Sequence, residues 1–270
     1  MDGGCQLHKN TEKEFNIGQV NFINCLPINL PIELGEIKIN AKIINGTPKE
    51  LNELILKGEI DIAPVSSFTY IQNKDKLTPI ADMCIASNGP ADSVLLFSKL
   101  SLEELHGAKI ALSHTSATSN KLLEIVLNEF LNLQCKFEMS PNNESAKLLI
   151  GDDALLEFSK GPKDMFVYDL GSLWKKFTGL PMVFGIWVCR KEMFNVGARL
   201  IAPLQGAKQS GLNEMFDMVI KKAMDTILIS RDFYRGYFEH LSYDLTSEYK
   251  KGLEEFEKYC VEKEKIFISI

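Results

Sequence analysis

The sequence predicts a two-lobed α/β protein that closes on a ligand, with mainly parallel, doubly wound sheets in its lobes. Three observations carry this expectation. Strand-like and helix-like stretches alternate with short connections from residue 15 onward. At 270 residues the chain is too long for one minimal core and fits two compact lobes. No Ser/Gly-rich linker divides it, so extended crossings are expected to join the lobes, and SVLLFS (93–98) and VFGIWV (183–188) are the candidates. A chain that leaves one lobe, builds the other and returns makes a two-stranded hinge suited to cleft closure. On this reading residues 1–14 are a flexible tail, 15–94 and 186–270 form the first lobe, and 95–185 form the second.

The elements follow in order. FNIGQVNFINCLP alternates as a strand and breaks at Asn24–Pro27, and IKINAKII reads as a second strand. Thr47-Pro48-Lys49-Glu50 is a capping box with proline at the first helical position. Its helix, roughly 48–57, presents Leu51, Leu54 and Ile55 on one face and stops at Gly58. EIDIAPV is a strand again, ending in the polar turn Ser66-Ser67. SLEEL is a short helix with a second box, Ser101 and Glu104. AKIALS is a strand, SHTSATSN a hydroxyl-dense loop, and LLEIVLNEFL has helical spacing. CKFEM and IGDDAL read as strands. In YDLGSLW, Asp169 takes the N-cap position, and Thr178-Gly179-Leu180-Pro181 stops the helix. Beyond residue 190 the chain is mainly helical, through GLNEMFDMVIKKAMDTILI and an amphipathic stretch from Tyr243 to Lys265.

Composition bounds the function. The apolar share, 45%, and the charged share, 24%, are those of an ordinary globular protein. A net charge of −6 argues against nucleic acid as a partner, but amides and hydroxyls in a cleft can still attract a small anion. The six cysteines form no C-x-x-C pair, which fits buried thiols in a reducing compartment. The polar start has no apolar h-region, and no run nears the ~18–20 apolar residues of a membrane span. The expectation is a cytoplasmic protein with no membrane partner.

The motif search prunes further. P-loop, dinucleotide-binding, zincin and nucleophile-elbow patterns are all absent. Of the four histidines, only His114 falls in a plausible site loop, so neither a triad nor a histidine-rich metal centre is expected. Asn24 sits where the first strand breaks. It is either a turn asparagine or an amide aimed into the cleft, where doubly wound sheets bind ligands. Ser66-Ser67 and Ser87-Asn88-Gly89-Pro90 are polar turns whose simplest reading is turn chemistry. The loop Ser113–Ser119, with Thr115, Ser116 and Thr118, packs more hydroxyls before a helix than capping requires, which favours a carboxylate or phosphate there. Asp152 and Asp153, taken as strand residues, point to opposite faces and cannot easily serve one site. The aromatic residues default to core, with Trp187 a possible cleft wall.

Taken together these motifs resemble the chorismate dehydratase family of the futalosine route to menaquinone. The resemblance rests on G-x-V-x-F-I-N-x-L-P at 18–27, the block at 47–67, SNGPADSVLLFS, TSATSNKLL, IGDDAL, YDLGSLW with TGLPMVFGIWV, and YDLTSEYKKGLEEF. It runs from about residue 15 to 268. The family more often has Tyr-Leu where this chain has Phe22-Ile23, an exchange that keeps the strand character. The resemblance implies a type II periplasmic-binding-protein fold and loss of water from chorismate, a small dicarboxylate, without cofactor or metal. It also implies that Asn24 positions the substrate. Ser87, Ser116 and Thr118 would hold the ring carboxylate, with Ser66, Asn88 and Thr115 as further binding residues and Asp153 near the departing hydroxyl. The alternatives are the sibling 1,4-dihydroxy-6-naphthoate synthase and a non-catalytic organic-acid receptor. The oligomeric state is left open.

Overall fold

The computed structural model describes residues 15–261, so the tail expected at 1–14 lies outside the described residues. From β1 (Phe15–Val20) a 3-10 turn, Ile23–Cys25, leads into α1 (Leu26–Glu33). Next come β2 (Ala41–Gly46), α2 (Pro48–Lys57), β3 (Ile62–Ser66), α3 (Ser67–Gln72) and the long β4 (Leu77–Ser87). The chain then builds β5 (Val94–Ser98), a 3-10 turn at Leu102–Leu105, β6 (Lys109–Ala111), α4 (Ala117–Ile125) and β7 (Lys136–Glu138). β8 (Ala146–Ile150), α5 (Gly151–Ser159), β9 (Phe166–Asp169) and α6 (Leu170–Thr178) complete that portion. After β10 (Met182–Arg190) come α7 (Phe194–Gly197), α8 (Ile201–Leu212), α9 (Phe216–Thr226) and α10 (Arg231–His240). β11 (Leu241–Asp244) and α11 (Ser247–Val261) close the described chain.

The strands form a six-stranded sheet, β11-β4-β10-β3-β1-β2, and a five-stranded sheet, β7-β6-β8-β5-β9. Both are mixed, which corrects the expectation of mainly parallel sheets. β1 runs parallel to β2 and β3, but β10 enters antiparallel between β3 and β4, and β11 runs antiparallel to β4. In the second sheet β6, β7 and β8 are parallel, while β5 runs antiparallel to both β8 and β9. The reason is the path of the chain. β5 and β10 are the first strands laid down after each change of sheet, and each enters against the local direction. They also take up Val94–Ser98 of the segment 93–98 and the whole of 183–188, the segments expected as crossings. Those segments are integral strands of different sheets, and the chain changes sheet at 88–93 and 179–181.

Several elements form where the local chemistry directs. Thr47 Oγ1 accepts from Glu50 N–H at 3.3 Å, Glu50 Oε2 accepts from Thr47 N–H at 2.8 Å, and Gly58 ends α2 at φ 78°. β3 and β5 are buried throughout, as central strands covered on both faces should be. IGDDAL, by contrast, is not one strand. Ile150 ends β8, and Gly151 opens α5 at φ +54°, so Asp152 and Asp153 lie in a helix's first turn. The short apolar run before the glycine fits a strand end as well as a whole strand, and sequence alone does not separate the two.

The motifs between 169 and 190 fasten the return passage. Trp174 is buried and donates from Nε1 to the Pro181 carbonyl at 3.1 Å. A Cβ on Gly171 would fall 2.4 Å from the Gly89 carbonyl oxygen, and one on Gly252 only 2.0 Å from that of Pro181. Glycine is therefore required where α6 and α11 press on the two passages. Trp187 is buried core and does not line the cleft. No described helix is long and apolar enough to cross a membrane.

Candidate active site

A cleft with about 660 Å³ of empty space opens where β1, β3 and β8 end and helices begin. Its walls are apolar, with Phe22, Val65, Ile85, Val94, Phe184 and Leu241 among them. Its polar lining is short: Asn24, Ser66, Ser93, Ser116 and Ser119, with Cys25 and Gly151 beside them. No lysine, arginine or histidine lines it among the described residues. An anion there must rely on hydroxyls, on the Asn24 amide and on the positive end of the α4 dipole.

Asn24 sits on the 3-10 turn after β1, and the turn is pinned from two directions. Tyr243 Oη donates to the Asn24 carbonyl at 2.9 Å, and Ile23 N–H donates to Asp152 Oδ1 at 2.9 Å. The side-chain Oδ1 of Asn24 is buried with no hydrogen-bond partner among the described residues. A buried acceptor without a donor is costly and calls for a ligand or water.

The hydroxyl sites fall into two groups. Ser66 and Ser116 are N-caps, accepting from Thr69 N–H at 3.3 Å and Ser119 N–H at 3.1 Å. Ser116 also donates to Ser119 Oγ at 2.9 Å. With Asn24, these are the expected site residues that the fold brings together in the cleft.

The other expected residues lie outside the lining. Ser87 is buried and donates to the Gly89 carbonyl at 2.9 Å, and Asn88 is exposed. Thr115 pairs with Ser113 at 3.3 Å. Thr118 is fully buried, and its Oγ1 accepts from Phe68 N–H at 2.9 Å, bonding α4 to α3. Asp153 is exposed, and its neighbour Asp152 is the one that reaches the Asn24 turn. The loop's many hydroxyls are thus largely consumed in holding the loop and the two helix starts together.

Sequence reasoning passed over Ser93, and it placed Ser119 in the hydroxyl loop without singling it out. Ser93 accepts from Tyr237 Oη at 3.0 Å and lies just before β5, inside the segment 93–98 expected as a crossing. Ser119 stands three residues after the N-cap of α4, one helical turn from Ser116, so helical spacing was a signal for it.

Electrostatics leave the site poorly armed. Burial, joined by the charge of Asp152, pushes the Cys25 thiol up to about 12. It is therefore neither a thiolate nor a base at neutral pH. Burial also raises Cys189, to about 11, whereas Cys135 is only partly buried. Alkylation at mildly alkaline pH should label Cys135 before Cys25 among the described cysteines, as peptide mass mapping would show. Early labelling of Cys25 would contradict its burial. Burial raises the Asp152 carboxyl above the usual carboxylate range, the Ile23 N–H opposes this, and Asp153 adds to it. The native carboxyl therefore holds its proton more tightly than the unfolded one, and its contribution to stability is lost as pH rises through the raised value. Asp152→Asn should be at least as stable as wild type at neutral pH, with the difference closing in acid. Melting curves across pH check this, and a variant less stable at pH 7 would refute it. No group of three or more His, Cys, Asp or Glu positioned for a metal ion occurs among the described residues.

Comparison with known proteins adds identity to this geometry. A family model described as menaquinone biosynthesis matches residues 15–262. The chain is 28% identical over 264 residues to a chorismate dehydratase of Thermus thermophilus, covering 90% of this chain and 94% of that protein. It is 30% identical over 177 residues to a chorismate dehydratase of Campylobacter jejuni, covering 64% and 66%. In fold it is similar to a crystal structure from Archaeoglobus fulgidus, with TM-score 0.74, 13% identity and 94% and 98% coverage. The periplasmic aliphatic sulphonate binding protein of Escherichia coli matches with TM-score 0.63, 14% identity and 93% and 92% coverage. These likenesses show the two-lobed periplasmic-binding-protein fold.

Proposed function

The chain belongs to the menaquinone-biosynthesis family, and from that membership we propose that it is a chorismate dehydratase, a hydro-lyase yielding 3-(1-carboxyvinyloxy)benzoate and water. The observation that carries the reading is the cleft itself. Among the described residues it offers a buried, unpartnered Asn24 amide oxygen, hydroxyls at a helix start and apolar walls, but no ionised group in its lining to act as a base. Chorismate suits such a site because losing water aromatises its ring. The C–H beside the enolpyruvyl ether is allylic and conjugated to the ring carboxylate, so the substrate supplies much of the driving force.

The reaction we infer is substrate-assisted. The enolpyruvyl carboxylate takes the proton from the ring carbon bearing the ether. The electron pair moves into the conjugated ring system, and hydroxide leaves the adjacent carbon. The proton and hydroxide end as water. Asn24 orients the carboxylate through its Nδ2 hydrogens, while its Oδ1 accepts from the substrate hydroxyl. Ser116 and Ser119, at the start of α4, hold the ring carboxylate, and Phe22 and Phe184 flank the ring. Holding reacting groups in line supplies a large share of barrier reduction without a strong base. Five described cysteines are free and four of them are buried, which supports a cytoplasmic setting.

Chorismate deuterated at the ether-bearing ring carbon tests the mechanism. Turnover should slow, because breaking that C–H bond is the difficult step when no strong base is present. Turnover at the unlabelled rate would contradict a reaction limited by proton removal at that carbon.

A further inference from the structure

The acidic pair opening α5 has no part in the reaction as drawn, yet one member reaches the site. α5 lies between β8 and β9 of the five-stranded sheet. Its Asp152 accepts from Ile23 N–H, 129 residues earlier, on the turn that presents Asn24. Gly151 leaves no room for a side chain, since a Cβ there would stand 2.8 Å from the Phe22 ring. The start of α5 is thus pressed against residues 22 and 23. At its other end Phe158 stacks on Phe233 of α10, with centroids 5.8 Å apart. The helix is fixed at both ends to the portion built on the six-stranded sheet, and of these contacts only the Asp152 bond is directional.

We propose that Asp152 is a positioning residue: its carboxylate, carried on one side of the cleft, sets the Ile23–Cys25 turn and with it the Asn24 amide on the other. The site is then complete only when its two sides are together. The inference rests on the dehydratase reading above. Asp152 acts through the Ile23 backbone and does not touch substrate. The titratable groups that face it are Asp153 beside it and Cys25, Tyr234 and Tyr237 across the contact.

The test compares Asp152→Ala and Asp152→Asn in the full chain acting on chorismate. Alanine removes the acceptor and should lower kcat roughly tenfold or more while KM moves less than about threefold, the pattern of an interaction used in the transition state. Asparagine keeps an oxygen for the same N–H and should stay within about threefold of wild type. Wild-type kinetics in Asp152→Ala would overturn the proposal. So would equal losses in both variants at an unchanged melting midpoint. Inactive wild type would instead sink the dehydratase reading. The bond itself is read without substrate by NMR, which also serves if Asp152→Ala fails to fold. The Ile23 amide resonance should shift as Asp152 titrates and should not do so in Asp152→Asn. A resonance indifferent to pH in the wild type overturns the proposal.

Discussion

Asn24→Ala is expected to lose roughly 10²–10³-fold in turnover of chorismate, the scale seen when one preorganised polar group is removed from a reaction site. Its stability should hold or rise. The Asn24 Oδ1 makes no hydrogen bond among the described residues, and a buried unsatisfied acceptor costs about 1–3 kcal/mol. The backbone carbonyl bonded by Tyr243 is untouched by the substitution. Lost activity with a retained melting midpoint marks a residue kept for function at the expense of stability. Full turnover in the variant would refute the positioning role.

Asp169→Ala should have the larger structural effect. The carboxylate accepts from Ala91 N–H at 3.0 Å, Asp92 N–H at 2.7 Å and Ser172 N–H at 2.8 Å. It thereby caps α6 and ties that helix to the outgoing passage between sheets. Burial raises the carboxyl above its ordinary range, and the three N–H bonds oppose the shift. Removing it strands three donors at about 1–3 kcal/mol each, with some regaining water, so a loss of roughly 3–5 kcal/mol is expected. Denaturant unfolding measures this, and a loss below about 1 kcal/mol would show that the bonds matter little.

Much of this architecture was legible because its causes are local. The capping box at Thr47, the stop at Gly58 and the N-cap at Asp169 each depend on residues within one helical turn. Asn24 was findable because a strand must break before Leu26-Pro27, and the end of such a strand faces the cleft. The illegible features have distant causes. The antiparallel entry of β5 and β10 follows from the path of the chain between two sheets. The significance of Asp152 depends on Ile23, far away in sequence, and on α5 starting at Gly151. In Ser113–Ser119 the sequence advertises more ligand donors than the fold leaves free, because Thr118 is committed to Phe68 and Thr115 to Ser113. Hydroxyl density locates a loop, whereas partners decide which hydroxyls remain for a ligand.

On the dehydratase reading this cleft converts chorismate rather than merely holding it. Incubating the purified chain with chorismate and following product by mass and ultraviolet absorbance tests this directly. An aromatic product lighter than chorismate by one water, formed catalytically, is expected. Reversible binding with chorismate recovered intact would contradict it in favour of a receptor. Turnover confined to the cyclic futalosine derivative would contradict it in favour of the sibling synthase.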